Sequence, residues 1–389
     1  MDTLEKYGIV YHLVGEQTLP VFITAIQFPP TARHYLLTTH APGTEAAAKN
    51  ILKTLRTKGI LADIRYLGDA AAAVSFPALS ESIGRILTET NPQNDPAAFD
   101  LTGGTKPMSI ISLLQTEKNA QLSAFYLDFN GRKLTCLNHF DFSYNLTQSL
   151  CMEDFIQLAG MNLKSSSKSD VPPDILSFFF KHATCLQGFQ ADFAKCLPGS
   201  RPPKGKTQEQ HFYDTLRELE KIMRNSKKWS ENWEKFLALS PKNARWLTQA
   251  RFLAGEWFEH YVCGIVRDNG PDIRDLRMNV ELTFPGSASP AQEFDVVYTD
   301  GFSLIILECK AGELKQDYIH KLENIRNKFS GALGRCALVT LNSSTAGNNR
   351  NGVFREKIKA SGLAAFCGEK GIKQLKAHLL DFSIRQVYE

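Results

Sequence analysis

Several signatures of common protein classes are missing from this sequence. Its eight cysteines are scattered and no C-x-x-C pair occurs, so neither a zinc knuckle nor a disulfide framework is expected. No apolar run approaches the roughly 18–20 residues that a membrane span requires, and no basic-then-apolar leader opens the chain. The sequence therefore predicts a protein of the reducing cytoplasm without a membrane partner.

Common nucleotide-binding fingerprints are missing as well. The G-x-G-x-x-G pattern of dinucleotide-binding folds is absent, and the spacing of a P-loop is not met. The net charge of +4 is too small to mark a dedicated nucleic-acid coat. The chain does have length, because 389 residues, 43% of them hydrophobic, predict two or three domains with sizeable cores.

The most informative segment has the pattern of a β-hairpin that carries acids and a lysine. Phe294–Tyr298 and Leu304–Lys310 are typical of buried strands. Asp300-Gly301 between them is a strong two-residue turn signal, because both residue types tolerate the positive φ that such turns require. The sequence thus predicts a tight hairpin.

Counting outward from that turn gives the expected pairing of the two strands. A two-residue turn sets Asp295 opposite Ile306 and Glu293 opposite Glu308. Because side chains alternate between faces, Glu308 and Lys310 then share one face with both acids of the first strand. The other face carries three residues expected in a core, namely Ile305, Leu307 and Cys309.

Two carboxylates and a lysine on one face suit phosphodiester cleavage. Hard oxygen ligands favour Mg²⁺ or Mn²⁺, so Asp295 and Glu308 are the predicted metal ligands. Such an ion acidifies a bound water, and Lys310 would orient that water or stabilise the developing negative charge. The alternative is a solvated hairpin face on which glutamate and lysine merely pair across strands.

A helix just upstream supplies a further candidate acid. The segment Phe252–Val266 has an apolar stripe at helical spacing, and Glu259 lies beside that stripe. Gly255, one turn before Glu259, predicts close packing of the helix against the sheet. From the residues alone, Glu259 or Glu256 is the acid that faces the site, or either is an ordinary surface residue.

Taken in this order, the motifs resemble the P-D-(D/E)-x-K nuclease superfamily, and most closely its CRISPR-associated branch. The resemblance implies that Asp295 and Glu308 bind the metal and that Glu259 completes the site from the helix. It also implies that Lys310 serves the attacking water. Phe294 stands where the nominal motif has a proline, which is a common variation.

The first 150 residues alternate strands and helices in the manner of a doubly wound α/β fold. Strands are predicted near Val10–Val14, Tyr35–Thr39, Ile64–Leu67, Phe99–Leu101 and Ala124–Phe129. Helices are predicted near Thr18–Gln27, Glu45–Lys58, Leu79–Glu89 and Lys106–Gln115. Ligands of such folds bind outside the carboxyl ends of the strands, where loops lead into helix N-termini.

Two loops are expected at that edge, Gly15–Thr18 after the first strand and Thr102–Lys106 after the fourth. The second loop, T-G-G-T-K, offers exposed backbone N–H groups and a lysine at a helix N-terminus, which suits an anion. The alternative is a tight strand-to-helix turn capped by Thr105. The loop taken alone favours neither interpretation.

The stretch Phe99–Met108 is similar to the signature loop of CARF domains, the cyclic oligoadenylate sensors of type III CRISPR immunity. Leu13–Gln17 and Thr38–Thr44 look like that family too. The resemblance implies a Rossmann-like sensor that binds one ring of cyclic tetra-adenylate across the two-fold axis of a homodimer. The residues that would contact the ring are Gly15, Gln17, Thr18, Thr39, Thr44, Thr102, Gly103, Gly104, Thr105 and Lys106.

Three parts are therefore expected: a CARF domain at 1–150, a linker and helical connector at 151–245, and a restriction-endonuclease-like α/β domain at 246–389. Segments rich in Ser, Pro and Lys, Lys164–Pro173 and Pro198–Lys206, mark the breaks. A basic cluster in the connector would guide a phosphate backbone or form a solvated helix face. It comprises Lys221, Arg224, Lys227 and Lys228, with Trp229 and Trp233 close by.

A CARF sensor followed by a P-D-(D/E)-x-K domain resembles the single-CARF nucleases activated by cyclic tetra-adenylate. The implied function is a metal-dependent endonuclease of type III CRISPR antiviral defence that cleaves DNA and/or RNA under allosteric control. Two alternatives stay open. One is a ligand-responsive, nucleic-acid-binding regulator with an inactive nuclease fold, and the other is a ring nuclease that degrades the cyclic oligoadenylate.

Overall fold

Buried apolar strands alternate with amphipathic helices along the chain, and they assemble into two seven-stranded sheets. The computed structural model describes residues 4–69, 71, 74–138, 142–223, 231–236, 245–270, 272–312, 317–329, 335–342, 356–379 and 387–388. One unit comprises residues 1–162 with the short segments 283–288 and 328–331, and the rest of the chain forms the other. Within the described residues, no helix combines the length and apolarity needed to cross a membrane.

The first sheet has the order β3-β2-β1-β4-β5-β6-β7, in which β1 to β5 run parallel and β6 and β7 are antiparallel additions. Its strands are β1 (Ile9–Leu13), β2 (Arg33–Thr38), β3 (Ala62–Tyr66), β4 (Ala97–Asp100), β5 (Leu122–Asp128), β6 (Lys133–Cys136) and β7 (Ser143–Asn145). The helices of this unit are α1 (Leu19–Ala25), α2 (Pro42–Thr57), α3 (Phe76–Thr90), α4 (Lys106–Lys118) and α5 (Met152–Leu158). The predicted doubly wound α/β fold is confirmed.

The strand order reverses between β1 and β4, which puts the topological switch point of this unit there. On one side of the sheet, Tyr11 stacks on Tyr35 and Phe99, with ring centroids 5.6 and 4.9 Å away. Both faces of the central strands are buried, as parallel sheets require. The core thus fixes the carboxyl ends of β1 and β4 side by side.

The second sheet has the order β14-β13-β12-β11-β10-β9-β8, antiparallel from β9 to β11 and parallel from β11 to β14. Its strands are β8 (Asn162–Ser167), β9 (Arg274–Thr283), β10 (Gln292–Thr299), β11 (Leu304–Lys310), β12 (Arg335–Thr340), β13 (Ala364–Cys367) and β14 (Val387–Tyr388). The helices are α6 (Pro173–Lys181), α7 (Ala183–Ala194), α8 (Gln208–Met223), α9 (Arg245–Arg251), α10 (Trp257–Asn269), α11 (Asp317–Phe329) and α12 (Gly368–Leu375). As predicted, Ile305, Leu307 and Cys309 lie in the core.

The turn between β10 and β11 is longer than the sequence predicts. Thr299 pairs with Leu304, so the loop has four residues instead of two. The carboxylate of Asp300 explains the difference, because its Oδ1 accepts the backbone N–H groups of Phe302 at 2.9 Å and Ser303 at 2.7 Å. The Asp300-Gly301 pair therefore opens a wider loop that its own side chain holds.

This loop changes the predicted register by two residues. The ladder ends at the pair Val296–Leu307, so Asp295 and Glu308 are the next residues on their strands, and the predicted partner Ile306 instead pairs with Val297. A shift of two keeps every side chain on its predicted face. The predicted pairing of Glu293 with Glu308 is wrong, because the shift moves Glu293 two residues away from Glu308; on its other side Glu293 pairs with Glu281 on β9, and it is exposed.

The first predicted break lies directly after the boundary between the two units at residue 162, but part of the Ser- and Lys-rich segment Lys164–Pro173 belongs to the edge strand β8. The hydroxyl of Ser165 bonds to Glu281 at 3.0 Å, and that of Ser167 bonds to the carbonyl of Met278 at 3.3 Å. A polar, exposed strand suits a sheet edge, where one side of the ladder faces solvent.

The predicted basic cluster lies mostly outside the described residues. Lys221 is in the last turn of α8, where it pairs with Glu218 at 2.6 Å on an exposed surface. Trp233 is buried in the core. Arg224, Lys227, Lys228 and Trp229 lie outside the described part of the chain.

Candidate functional sites

The helix that carries Glu259 begins at a kink. A π-helical turn over Phe252–Glu256 precedes α10, and Gly255 has a φ of 153°, which favours glycine. A Cβ atom on Gly255 would lie 3.0 Å from Nε2 of Gln190, so this glycine packs closely against α7. The expectation that Gly255 packs against the sheet is therefore wrong. Its kink starts α10 at Trp257 and puts Glu259 in the first turn of that helix.

Glu259 lies within electrostatic reach of the acids on the hairpin. Burial raises the pKa of Glu259 to about 9, and the neighbouring Asp295 carboxylate adds to this rise, while Lys310 opposes it. Burial also raises the pKa of Glu256, which Arg251 opposes. Glu259 thus lies close enough to the hairpin for Asp295 and Lys310 to shift its pKa, and its role as a ligand, which the resemblance implies, stays a prediction.

Asp295 and Lys310 are joined directly. Oδ2 of Asp295 accepts the backbone N–H of Cys309 at 2.7 Å and the ammonium of Lys310 at 3.0 Å. The same ammonium lies 2.8 Å from Oε1 of Glu308, so one cation bridges both carboxylates. Glu308 is 1% exposed and Asp295 is 9% exposed, so these ion pairs form in a largely dry environment.

A second lysine, which the sequence did not single out, completes the cluster. Nζ of Lys321 on α11 lies 3.0 and 2.8 Å from the two carboxylate oxygens of Glu308. The ring of Tyr318, one turn earlier, lies 5.2 Å from Nζ of Lys310. The sequence offered one signal for this residue, a lysine directly before the buried Leu322. That signal predicts a charged residue on a helix, but it does not indicate that the residue lies beside Glu308.

The cluster is short of positive charge in spite of its two lysines. Burial and the Glu308 carboxylate raise the pKa of Asp295, although Lys310 and the Cys309 N–H act in the opposite direction. Burial lowers the pKa of Lys310, but the two acids outweigh it and the net shift is upward. Lys310 therefore stays cationic.

This donor set fits a hard divalent cation. Carboxylate oxygens with raised pKa values gain from added positive charge, and one or two carboxylates plus substrate phosphate are the usual protein contribution to a Mg²⁺ site. Among the described residues, no group of three or more His, Cys, Asp or Glu forms a ready metal cage. Asp295 and Glu308 thus stay the predicted pair of metal ligands, and Glu259 stays the predicted third ligand.

The two predicted ligand loops of the first unit meet at the switch point. A Cβ atom on Gly15 would lie 3.2 Å from the backbone nitrogen of Gly104, and one on Gly103 would collide with the carbonyl oxygen of Leu13. Gly104 itself has a φ of 74°. The absence of side chains at these glycines therefore allows the loop after β4 to lie directly against the end of β1.

Thr105 starts helix α4 beside this contact. Its Oγ1 accepts the backbone N–H of Met108 at 3.4 Å, which makes it the N-cap, and Lys106 follows as an exposed first residue. The helix N-terminus and its lysine thus face outward from the switch point, where they suit an anion. The two interpretations of the T-G-G-T-K loop, a capped turn and an anion-binding site, are therefore compatible with each other.

Thr102 is held from behind by a buried chain of polar groups. Its backbone N–H donates to Oδ1 of Asp100 at 3.0 Å, and Oδ2 of Asp100 lies 2.9 Å from Nδ1 of His12. Nε2 of His12 in turn lies 2.9 Å from Nδ1 of His34. Burial lowers the pKa of His34 well below its usual value, and His12 adds to this shift. The chain ties β2, β1 and β4 together just behind the loop.

The other threonines predicted to contact ligand shape the loops through their own hydroxyls. Thr18 donates to the carbonyl of Leu158 at 3.3 Å. Thr39 and Thr44 lie 3.0 Å apart, and Thr44 is also within hydrogen-bonding distance of the Thr39 and Ala41 carbonyl oxygens. Gln17 is exposed. Contact of these residues with a ligand stays a prediction.

Comparison with known proteins assigns both units. Residues 9–155 match the family model of the Card1 CARF domain, and residues 247–386 match that of the Card1-like endonuclease domain. No match was found among curated proteins.

Solved structures share the fold at low sequence identity. Can2 from Sulfobacillus thermosulfidooxidans, in complex with cyclic tetra-adenylate, is 18% identical with a TM-score of 0.67, over 97% of each chain. Protein VC1899 from Vibrio cholerae is 16% identical with a TM-score of 0.70, over 95% of this chain and 96% of that one. A type III CRISPR defence DNA nuclease activated by cyclic oligoadenylate is 17% identical with a TM-score of 0.57, over 98% of this chain and 53% of that one. The fold and the two family matches agree: the chain joins a Card1 CARF domain at residues 9–155 to a Card1-like endonuclease domain at residues 247–386.

Proposed function

We propose that this protein is a cyclic tetra-adenylate-activated, metal-dependent endonuclease of type III CRISPR antiviral defence, which cleaves DNA and/or RNA. One observation carries the proposal: a single chain holds the glycine-rich loop contact at the switch point and the buried cluster of Asp295, Glu308 and Lys310. The first can bind a cyclic oligonucleotide, and the second can cut a phosphodiester. Because one chain carries both the ligand loop and the acidic cluster, we infer that ligand binding controls cleavage.

The residues of the nuclease unit have separate tasks in cleavage. Asp295 and Glu308 present carboxylate oxygens on one face, and Glu259 approaches them from α10. A bound Mg²⁺ or Mn²⁺ would neutralise charge at the scissile phosphate and acidify the attacking water. Lys310, held between both acids, orients that water and stabilises the charge that develops on the phosphate oxygens. Lys321 holds both oxygens of Glu308 in position.

Control by the ligand requires two arrangements of the protein. In the proposed homodimer, one ring lies between two sensor domains, in contact with Gly103, Gly104, Thr105 and Lys106 of each. The ring activates cleavage because it binds the active arrangement more tightly than the resting one, since equal affinity for both would shift nothing.

The test is a cleavage assay with plasmid, single-stranded DNA and labelled RNA in one panel, with Mn²⁺ or Mg²⁺ and each cyclic oligoadenylate. Cutting that rises steeply with cyclic tetra-adenylate and stops on chelation supports the proposal. Glu308→Ala should abolish cutting while ligand binding survives, whereas retained cutting would refute the site assignment. Following the labelled ring over time in the same variant tests whether the protein also degrades its activator.

A further inference from the structure

An aromatic pair lies at the carboxyl edge of the first sheet, beyond the loops described above. The imidazole of His40, after β2, is stacked on the ring of Tyr66, the last residue of β3, with centroids 4.0 Å apart and an interplanar angle of 9°. His40 is exposed and Tyr66 is half-buried. One face of the imidazole is therefore covered by Tyr66, and the exposed surface is on its other side.

Hydrogen bonds hold the backbone of His40 and the hydroxyl of Tyr66. The backbone N–H of His40 donates to the carbonyl of Gly68 at 3.0 Å, which joins the ends of β2 and β3. The hydroxyl of Tyr66 donates to Oε1 of Glu45 at 3.4 Å, and Lys49 holds the same oxygen at 2.6 Å. An aromatic surface fixed in advance loses little conformational entropy when a second ring stacks on it.

Contacts along the sheet edge connect this pair with the T-G-G-T-K loop. The loop after β4 touches Gly15. The residue that follows Gly15 is Glu16, and a Cβ atom on Gly43 would lie 2.9 Å from Oε1 of Glu16. The strands at this edge follow the order β3-β2-β1-β4, and neighbouring strands lie about 5 Å apart. The aromatic pair and the predicted phosphate cradle thus occupy two parts of one continuous rim.

The chemistry of the pair suits a base better than a phosphate. The carboxylate of exposed Glu16 would repel an anion, whereas the Glu45 carboxylate beside Tyr66 is neutralised by Lys49. The acceptor oxygens of both groups suit a neutral purine whose exocyclic amino group donates hydrogen bonds. Flat aromatic surfaces, histidine included, are the usual platforms for unstacked bases, and each such contact contributes about 1–3 kcal/mol by alanine substitution.

We propose that His40, supported by Tyr66, is a stacking platform for one adenine base of the cyclic oligoadenylate. This inference rests on the proposed sensor function and adds a base-binding position to it. The phosphates of the ring lie on the T-G-G-T-K loop, and a base of the same ring turns outward onto the imidazole.

The test compares full-length variants by calorimetric titration with cyclic tetra-adenylate. His40→Ala removes one stacking contact from each subunit of the proposed homodimer, so binding should weaken about 5–150-fold for each of the two lost contacts. His40→Phe keeps a flat ring and should retain most of the affinity. Tyr213→Ala, which removes an exposed aromatic residue from α8, is the matched control and should bind like the wild type.

A ring that carries 2-aminopurine in place of adenine gives a second readout, because stacking quenches its fluorescence. Quenching should occur with the wild type and His40→Phe and be reduced with His40→Ala. Equal affinity and equal quenching in His40→Ala would overturn the platform while the sensor function stands. If the wild type binds no cyclic oligoadenylate, the sensor function itself fails. Thermal melts of each variant confirm that the fold is retained.

Discussion

Lys310 and the backbone N–H of Cys309 share one acceptor, Oδ2 of Asp295, at 3.0 and 2.7 Å. The acid is thereby fixed by its partner strand, one residue beyond the last ladder pair, Val296–Leu307. The hairpin itself places a lysine between two buried carboxylates, because Lys310 follows Glu308 by two residues on the same face of β11. The geometry of this cluster leads to the first two predictions.

Lys321 should matter for cleavage as well as for stability. Lys321→Ala leaves buried Glu308 with one cation fewer, so we expect a loss of about 1–3 kcal/mol in the free energy of unfolding. Cleavage at saturating metal should fall about 10–100-fold, as for other residues that orient metal ligands. Lys373→Ala is the control, because it breaks an exposed pair with Glu369 and should change stability by no more than about 0.5 kcal/mol. Equal effects in both variants would contradict this role.

The stability of the metal-free protein should fall as pH rises because of Glu259. Its pKa is raised to about 9 in the folded state, above the ordinary value of 4.5, so the folded protein holds a proton that unfolding releases. The free energy of unfolding therefore carries no penalty from Glu259 at acidic pH, and this penalty grows as the pH rises towards 9. Glu259→Gln removes this penalty, so its gain in Tm over wild type should grow between pH 5 and pH 9 in EDTA.

The control for that experiment is Glu369→Gln, which changes an exposed glutamate on α12. Its Tm should follow the wild-type curve at every pH. If the curves of Glu259→Gln and wild type stay parallel, the acid does not titrate in the folded protein as described. Cleavage by Glu259→Gln should be impaired in the same preparations, because the predicted third ligand is lost.

Gly103 should not tolerate a side chain. In Gly103→Ala the new methyl group would meet the carbonyl oxygen of Leu13, so backbone must move at the junction of the two ligand loops. We expect destabilisation of about 1–3 kcal/mol and weaker binding of cyclic tetra-adenylate. Gly84→Ala is the matched control, because nothing lies within 4 Å of the new atom in α3, and it should stabilise the protein by about 0.5–1 kcal/mol. Urea titrations and calorimetry measure both quantities.

Asp100 should link the buried histidines to ligand binding. Asp100→Ala leaves the Thr102 N–H and His12 without their carboxylate partner, so we expect a loss of about 1–3 kcal/mol in stability and weaker ligand binding. Asp100→Asn keeps an oxygen for Thr102 and can donate to His12, so both losses should be smaller. Identical binding by both variants and wild type would show that the chain supports only the core.

The nuclease face was predictable even though its register was not. The sequence interpretation paired Asp295 with Ile306, but Asp300 widens the loop by two residues through its own hydrogen bonds. Because the pleat repeats every two residues, an even error leaves Asp295, Glu308 and Lys310 on one face. Their shared face follows from the alternation of side chains along each strand. Which residues pair directly depends on the length of the loop, which the D-G pair predicts incorrectly.

Other features depend on contacts between distant segments. Lys321 reaches Glu308 only because α11 packs back onto the sheet after β11, and Gly255 forms its kink against Gln190 on another helix. The buried link from His34 through His12 to Asp100 joins three strands that are far apart in the chain. No spacing rule within a short segment encodes any of these contacts.

Local patterns were enough to predict which residues share a face of the hairpin, where the doubly wound sheet begins and where the glycine-rich loop lies. Covalent geometry sets the periods of strands and helices, so short segments carry this information. Packing of the whole chain was needed to put Asp295 beside Glu308, to bring Lys321 to Glu308 and to stack His40 on Tyr66. Those contacts form when the packing of a core brings remote segments together. Their stabilising free energy comes from several segments at once, so no single segment predicts them.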